Sequence, residues 1–129
     1  MGSERRVIST KSAPAAIGPY SQAVVAGGFV FCSGQIAIDP ETGELVGASD
    51  VSAQARRVME NLKAVLEAAG SGLDRVVRTT IYLQDLGDFG TVNAIYGGYF
   101  GAGPPARATV EVAGLPKGAM IEIDAVAVA

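Results

Sequence analysis

Along the chain the apolar positions change period several times, and each change marks an element. VVAGGFVFCSGQIAI holds two short apolar runs split by Gly27-Gly28, a dipeptide suited to the positive φ angles of a tight hairpin. Residues 22–26 and 29–38 are therefore expected to form paired antiparallel strands. DPETGEL, 39–45, follows as a turn cluster punctuated by Pro40 and Gly43. From Asp50 the period becomes helical: Val51, Ala55, Val58, Leu62, Val65 and Ala69 recur at three- and four-residue steps. Asp50 stands where a cap would start this helix and Gly70 where one would end it. VVRTTIYL, 76–83, is rich in β-branched residues and returns to strand. A second, less ideal helix is expected over 85–100, weakened by Gly90, Gly97 and Gly98.

Two prolines then open PPARATVEV, whose alternation separates Ala108, Val110 and Val112 from Arg107, Thr109 and Glu111. The apolar set is the expected core face. After the turn GLPKGA comes a last strand from Met120 to about Val128, expected to pair with strand 107–112. A short further strand is expected at Val7 to Ser9. The order β-β-α-β-α-β-β, with this extra strand, predicts an α+β fold: a mixed six-stranded sheet with two helices on one face. The other face must then be solvated or buried in a partner. MIEIDAVAVA ends apolar on both faces, which favours burial on both sides and hence an oligomer.

The 129 residues, 49% hydrophobic and 18% charged, suit one domain over 1–129. Met1 to Ser3 read as an added segment and residues 1–5 as flexible. Ten Lys plus Arg against 13 Asp plus Glu leave a net charge of −3 with no long basic run, so no nucleic-acid partner is expected. No apolar run approaches the ~18 residues of a membrane span, which points to a soluble, cytoplasmic protein. The absence of His excludes Ser-His-Asp and Cys-His machinery, and the single Cys excludes an internal disulfide or a Cys-rich metal site. Proton transfer falls to Glu, Asp, Tyr, Lys or Cys, and no metal is expected.

Arg107 is the first candidate for chemistry, because its planar fork can hold a carboxylate in a bidentate pair. It reads equally as a surface arginine or a structural partner of Glu111 or Glu122. Glu122, between Ile121 and Ile123, faces away from the isoleucines. With strands 107–112 and 120–128 paired, it would approach Arg107 and Thr109 and could orient a water or move a proton; the plain alternative is a salt-bridged surface glutamate. Tyr20 follows Gly18-Pro19, a turn that would present its phenol to a cleft, unless it packs at the core edge. Ser33 and Gly34 interrupt an apolar strand, which suggests a bulge or the close approach of a ligand. Cys32 alternates to the opposite side and reads as a small buried hydrophobe. Asn93 is either a polar edge position or a hydrogen-bonding group of a site.

Taken together, IGPYSQAV, FCSGQIAID, NLKAVLEAAG, TTIYLQDLGDF, VNAIYGGYF and PPARATVEVAGLPKGAMIEIDAVAV resemble the RidA family, also called YjgF/YER057c/UK114, from about Ser12 to Val128. The resemblance implies a chorismate-mutase-like fold and a homotrimer with a barrel-like core and sites in the clefts between subunits. It implies hydrolysis of 2-imino acids such as 2-iminobutanoate and 2-iminopropanoate to 2-oxo acids and ammonia, without metal or cofactor, protecting pyridoxal-phosphate enzymes from 2-aminoacrylate. Arg107 matches the family arginine that grips the substrate carboxylate, and Glu122 the glutamate that activates water. Tyr20, Ser33, Gly34 and Asn93 match pocket positions, with main-chain groups at Gly34 and Thr109 available to the imine nitrogen. Thr109 departs from the cysteine found in many deaminases. The competing expectations are a non-catalytic carboxylate binder or chaperone-like member, and an imine or enamine hydrolase of a dedicated pathway.

Overall fold

The computed structural model describes residues 4–129; Met1 to Ser3, and with them part of the segment expected to be flexible, lie outside the described residues. Six strands and two α-helices follow one another as β1 (Arg6–Ile8), β2 (Ala23–Ala26), β3 (Phe29–Gln35), α1 (Val51–Ala68), β4 (Val76–Leu83), α2 (Phe89–Gly97), β5 (Ala106–Glu111) and β6 (Ile121–Val128). The hairpin β2–β3 turns at Gly27 and Gly28, whose φ values of 60° and 86° are the left-handed conformation that glycine alone adopts without strain. Asp50 caps α1, its Oδ1 accepting from the amides of Ser52 at 2.9 Å and Ala53 at 3.2 Å. The second helix is shorter than its pattern suggests. A turn of 3₁₀ helix over Leu86–Asp88 precedes it, because the Asp85 carboxylate accepts from the Gly87 amide at 2.8 Å and tightens the entry.

All six strands form one mixed sheet in the order β1-β2-β3-β6-β4-β5. This overturns the expected pairing of β5 with β6. β5 runs parallel to β4, the outcome of a β-α-β crossover through α2, whereas β6 is inserted between β3 and β4 and antiparallel to both. The connection before β6 is no hairpin: a 3₁₀ turn at Pro116–Gly118, with Lys117 at φ 59°, leads the chain away from β5. A strand buried along one face and apolar on both at its end is better placed in the middle of a sheet than at its edge, and β6 is that strand.

Both helices cover one face. Ile121, Ile123, Ala125 and Ala127 of β6 are buried there with Val58, Leu62, Val65 and Leu66 of α1, and Thr79 of β4 meets Tyr96 of α2 on the same side. The face assignment for β5 is reversed relative to its pattern. Arg107, Thr109 and Glu111 point to the helix side, where Arg107 touches α2 and Glu111 accepts a hydrogen bond from the Leu86 amide at 2.9 Å. Val110, expected in the core, is 41% exposed on the open face. The reason is that β5 is an edge strand, so neither of its faces is fully covered, and alternation alone does not say which side the helices take.

Part of the open face is apolar. Phe29 and Phe31 of β3 lie beside Val128 and Val126 of β6, and Phe31 is 48% exposed.

Candidate functional site

The β3 strand and β6 fall out of step between Cys32, opposite Ala125, and Gln35, opposite Ile123. Ser33 and Gly34 there face the single residue Asp124, a β-bulge of the kind the glycine suggested. The Ser33 hydroxyl donates to the Ser21 carbonyl and its amide donates to the Gln22 carbonyl at 3.0 Å, which anchors the bulge to the segment carrying Tyr20. Gln22, which the pattern did not single out, holds the neighbouring loop: buried, it accepts from the Thr10 amide at 2.7 Å and donates to the Pro14 carbonyl at 2.7 Å.

Beside the bulge lies a cavity of about 580 Å³ whose lining includes Tyr20, Ser33, Gly34 and Glu122. Its other walls are mainly apolar, with Ile17, Ile36, Ile38 and Pro116, and Lys117 stands at its edge. Glu122 is half-buried, and its carboxylate has no hydrogen-bond partner among the described residues. Burial, reinforced by the charge of Asp124, raises its proton affinity above the usual carboxylate range. The carboxylate lies against Gly34: a Cβ there would run into Glu122 Oε2 and stand 2.8 Å from Cδ. The absence of a side chain at 34 is what admits the carboxylate.

Arg107 and Asn93 form a second cluster on the opposite side of the sheet. The guanidinium lies 5.0 Å from the ring centre of Tyr96 and 5.5 Å from that of Phe89, and Nη1 donates to Asn93 Oδ1 at 2.8 Å. Stacking and one hydrogen bond fix the plane of the fork and leave donors free for an anion. Tyr96 is itself held, its hydroxyl 2.7 Å from Thr79 Oγ1 in the core. Phe89 and Tyr96 were absent from the sequence-based candidates, because aromatic residues on a helix read first as core. Thr109 follows Arg107 on the same side of β5, and its hydroxyl is buried with no hydrogen-bond partner.

One chain therefore holds the candidate residues in two separate groups. Tyr20, Ser33, Gly34 and Glu122 share the cavity; Arg107, Asn93 and Thr109 lie on the helix side of the sheet, and the expected approach of Glu122 to Arg107 does not occur within the chain. Among the described residues no group of three or more His, Cys, Asp or Glu is arranged to hold a metal ion. No described helix is long and apolar enough to cross a membrane.

The family model described as Endoribonuclease L-PSP matches residues 10–129. This chain belongs to that family. It is 60% identical to Protein DfrA of Myxococcus xanthus, with 96% of this chain and 95% of the relative covered. It is 54% identical to the 2-iminobutanoate/2-iminopropanoate deaminase of Salmonella typhimurium, over 95% of this chain and 97% of the relative. The crystal structure of the YjgF gene product from E. coli superposes with a TM-score of 0.90 at 51% identity, covering 95% of this chain and 98% of that one. The RidA resemblance and the α+β fold it implied thus hold.

Proposed function

We propose that this protein is a 2-imino acid deaminase working at sites formed between copies of the chain. The observation that carries the proposal is the guanidinium of Arg107, stacked on two rings and oriented by Asn93 with donors to spare. Such a fork recognises a carboxylate by two parallel hydrogen bonds and holds the adjacent C=N carbon in a defined place.

Glu122 supplies the complementary group, an unpartnered carboxylate in a cavity. As water adds to the carbon of a protonated imine, Glu122 takes its proton and the C=N π pair moves to nitrogen. Return of that proton to nitrogen lets the C–N bond break with its electron pair leaving on ammonia; as C=O forms, Glu122 takes the carbinol proton and passes it to the ammonia, so that 2-oxo acid and ammonium leave. Gly34 and Thr109 offer main-chain groups to the nitrogen. The same machinery would spare pyridoxal-phosphate enzymes from 2-aminoacrylate, and a cytoplasmic location would suit that task.

The two halves lie on opposite sides of one sheet, so a complete site requires a second copy. Arg107 stands on the edge strand β5, and the apolar open face of another copy, bearing the Glu122 cavity, can pack beside that edge. An edge-to-face contact uses two different surfaces, and repeating it about a threefold axis closes a ring, a trimer with three identical clefts.

The relative at 60% identity, Protein DfrA, bears a name that states no activity, so the deaminase is tested against the other family reading. A non-catalytic carboxylate binder would keep the Arg107 clamp without accelerating hydrolysis. The test couples a threonine dehydratase to the protein and follows imine decay in the ultraviolet. Acceleration over buffer is expected, reduced about 10²-fold or more in Arg107→Ala with assembly intact. Binding of 2-oxobutanoate without acceleration would replace the deaminase with the binder.

A further inference from the structure

Two residues beyond Glu122 on the same face of β6 stands Asp124, and the deaminase reading gives it no task. Its carboxylate is half-buried and accepts a hydrogen bond from Tyr82 Oη at 3.0 Å. Tyr82 is the β4 residue directly opposite Glu122, so one phenol ties the carboxylate two residues along β6 into place. We propose that Asp124, anchored by Tyr82, is a positioning residue that acts through Glu122, its fixed charge making Glu122 retain the proton taken from water until the leaving nitrogen can accept it.

The chemistry needs such a device. A carboxyl group with ordinary affinity would lose its proton to solvent before C–N cleavage, and a shuttle works best when its affinity matches the operating pH. Like charges a short way apart on a strand face raise each other's affinity for a proton, and partial burial strengthens the effect. Glu122 shows both influences, burial first and Asp124 second. The other titratable groups around the pair are few. Lys117 and Tyr20 line the cavity, and Cys32 lies on β3 beside Asp124 with its proton held by burial. Arg78 is farther along β4, opposite Val126. In the proposed trimer Arg107 of a neighbouring copy joins them, and the substrate carboxylate neutralises it.

The inference rests on the deaminase reading, and the experiment separates the two. The pH profile of kcat/KM for imine hydrolysis is measured for the wild type, Glu122→Gln, Asp124→Asn and Tyr82→Phe, each checked for assembly by light scattering. Glu122→Gln identifies the acid limb by removing it. Asp124→Asn is expected to move that limb to lower pH and to reduce kcat at neutral pH with KM kept; Tyr82→Phe moves it the same way by less. An unmoved limb in assembled Asp124→Asn overturns the proposal, and if that variant does not assemble, an unmoved limb in Tyr82→Phe does so. A wild type without activity refutes the deaminase instead. Titration of the Glu122 carboxyl by carbon NMR in the wild type and Asp124→Asn then decides the pairing on its own, an identical titration overturning it.

Discussion

Gly34→Ala separates the proposed catalytic geometry from the fold more cleanly than removal of any charged group. Gly34 is not in the left-handed region, so alanine takes its backbone conformation without strain. The three nearest atoms that a Cβ meets all belong to the Glu122 side chain, among them Cδ at 2.8 Å and Cγ at 3.1 Å. Carbon atoms rest at about 3.5–4.0 Å, so the carboxyl group must swing away by about 1 Å. It can do so, being a flexible side chain beside a cavity, and the fold should keep its stability to within about 1 kcal/mol. A displacement of this size at the reacting group lowers the rate by about 10²-fold, equivalent to about 2.7 kcal/mol of barrier. The assay is imine decay under a coupled dehydratase, with thermal melting and light scattering on the same sample. A variant that melts and assembles like the wild type but keeps its activity within about threefold would refute the placement of Glu122 as the water-activating group.

Other outcomes follow from the same structure. Burial, with a smaller push from Asp124, raises the Cys32 thiol to about 12, so at pH 8 about one molecule in 10⁴ is thiolate; stoichiometric alkylation by iodoacetamide within minutes in the native state would contradict this. Glu122 binds its proton more tightly folded than unfolded, so its stabilising contribution is full below the unfolded value and lost as pH rises through the folded one. Glu122→Gln should accordingly raise the melting temperature at pH 7 and leave it unchanged at pH 3, and a lower value at pH 7 would argue that the carboxylate is a structural partner. Phe31→Glu places a charge on the exposed apolar face and should dissociate the assembly into folded monomers by light scattering; a persistent trimer would show that this face is not the contact.

Several features were determined by local sequence because their causes are local. Gly27-Gly28 specifies the hairpin through the left-handed backbone it permits, Asp50 starts α1 through two amides one turn ahead, and Ser33-Gly34 breaks the strand register where an apolar residue would continue it. Of the residues that the resemblance assigned to a pocket, Tyr20, Ser33 and Gly34 line the cavity with Glu122, whereas Asn93 and Thr109 lie with Arg107 on the other side of the sheet; alternation by itself left all of them open. Phe89 and Tyr96 stayed hidden, since a stacking platform and a core contact have the same helical spacing.

What only the tertiary structure decided is order and side. A period of two tells that a strand has two faces but not which one the helices cover, and at edge strand β5 the long stem of Arg107 takes the helix side while Val110 is left outside. Sequence adjacency suggested that β5 and β6 pair; the crossover through α2 sends β5 to the edge, and β6, apolar on both faces at its end, takes the centre. That insertion puts Glu122 and Arg107 on opposite sides of one sheet, and it makes a second chain a requirement of the proposed chemistry.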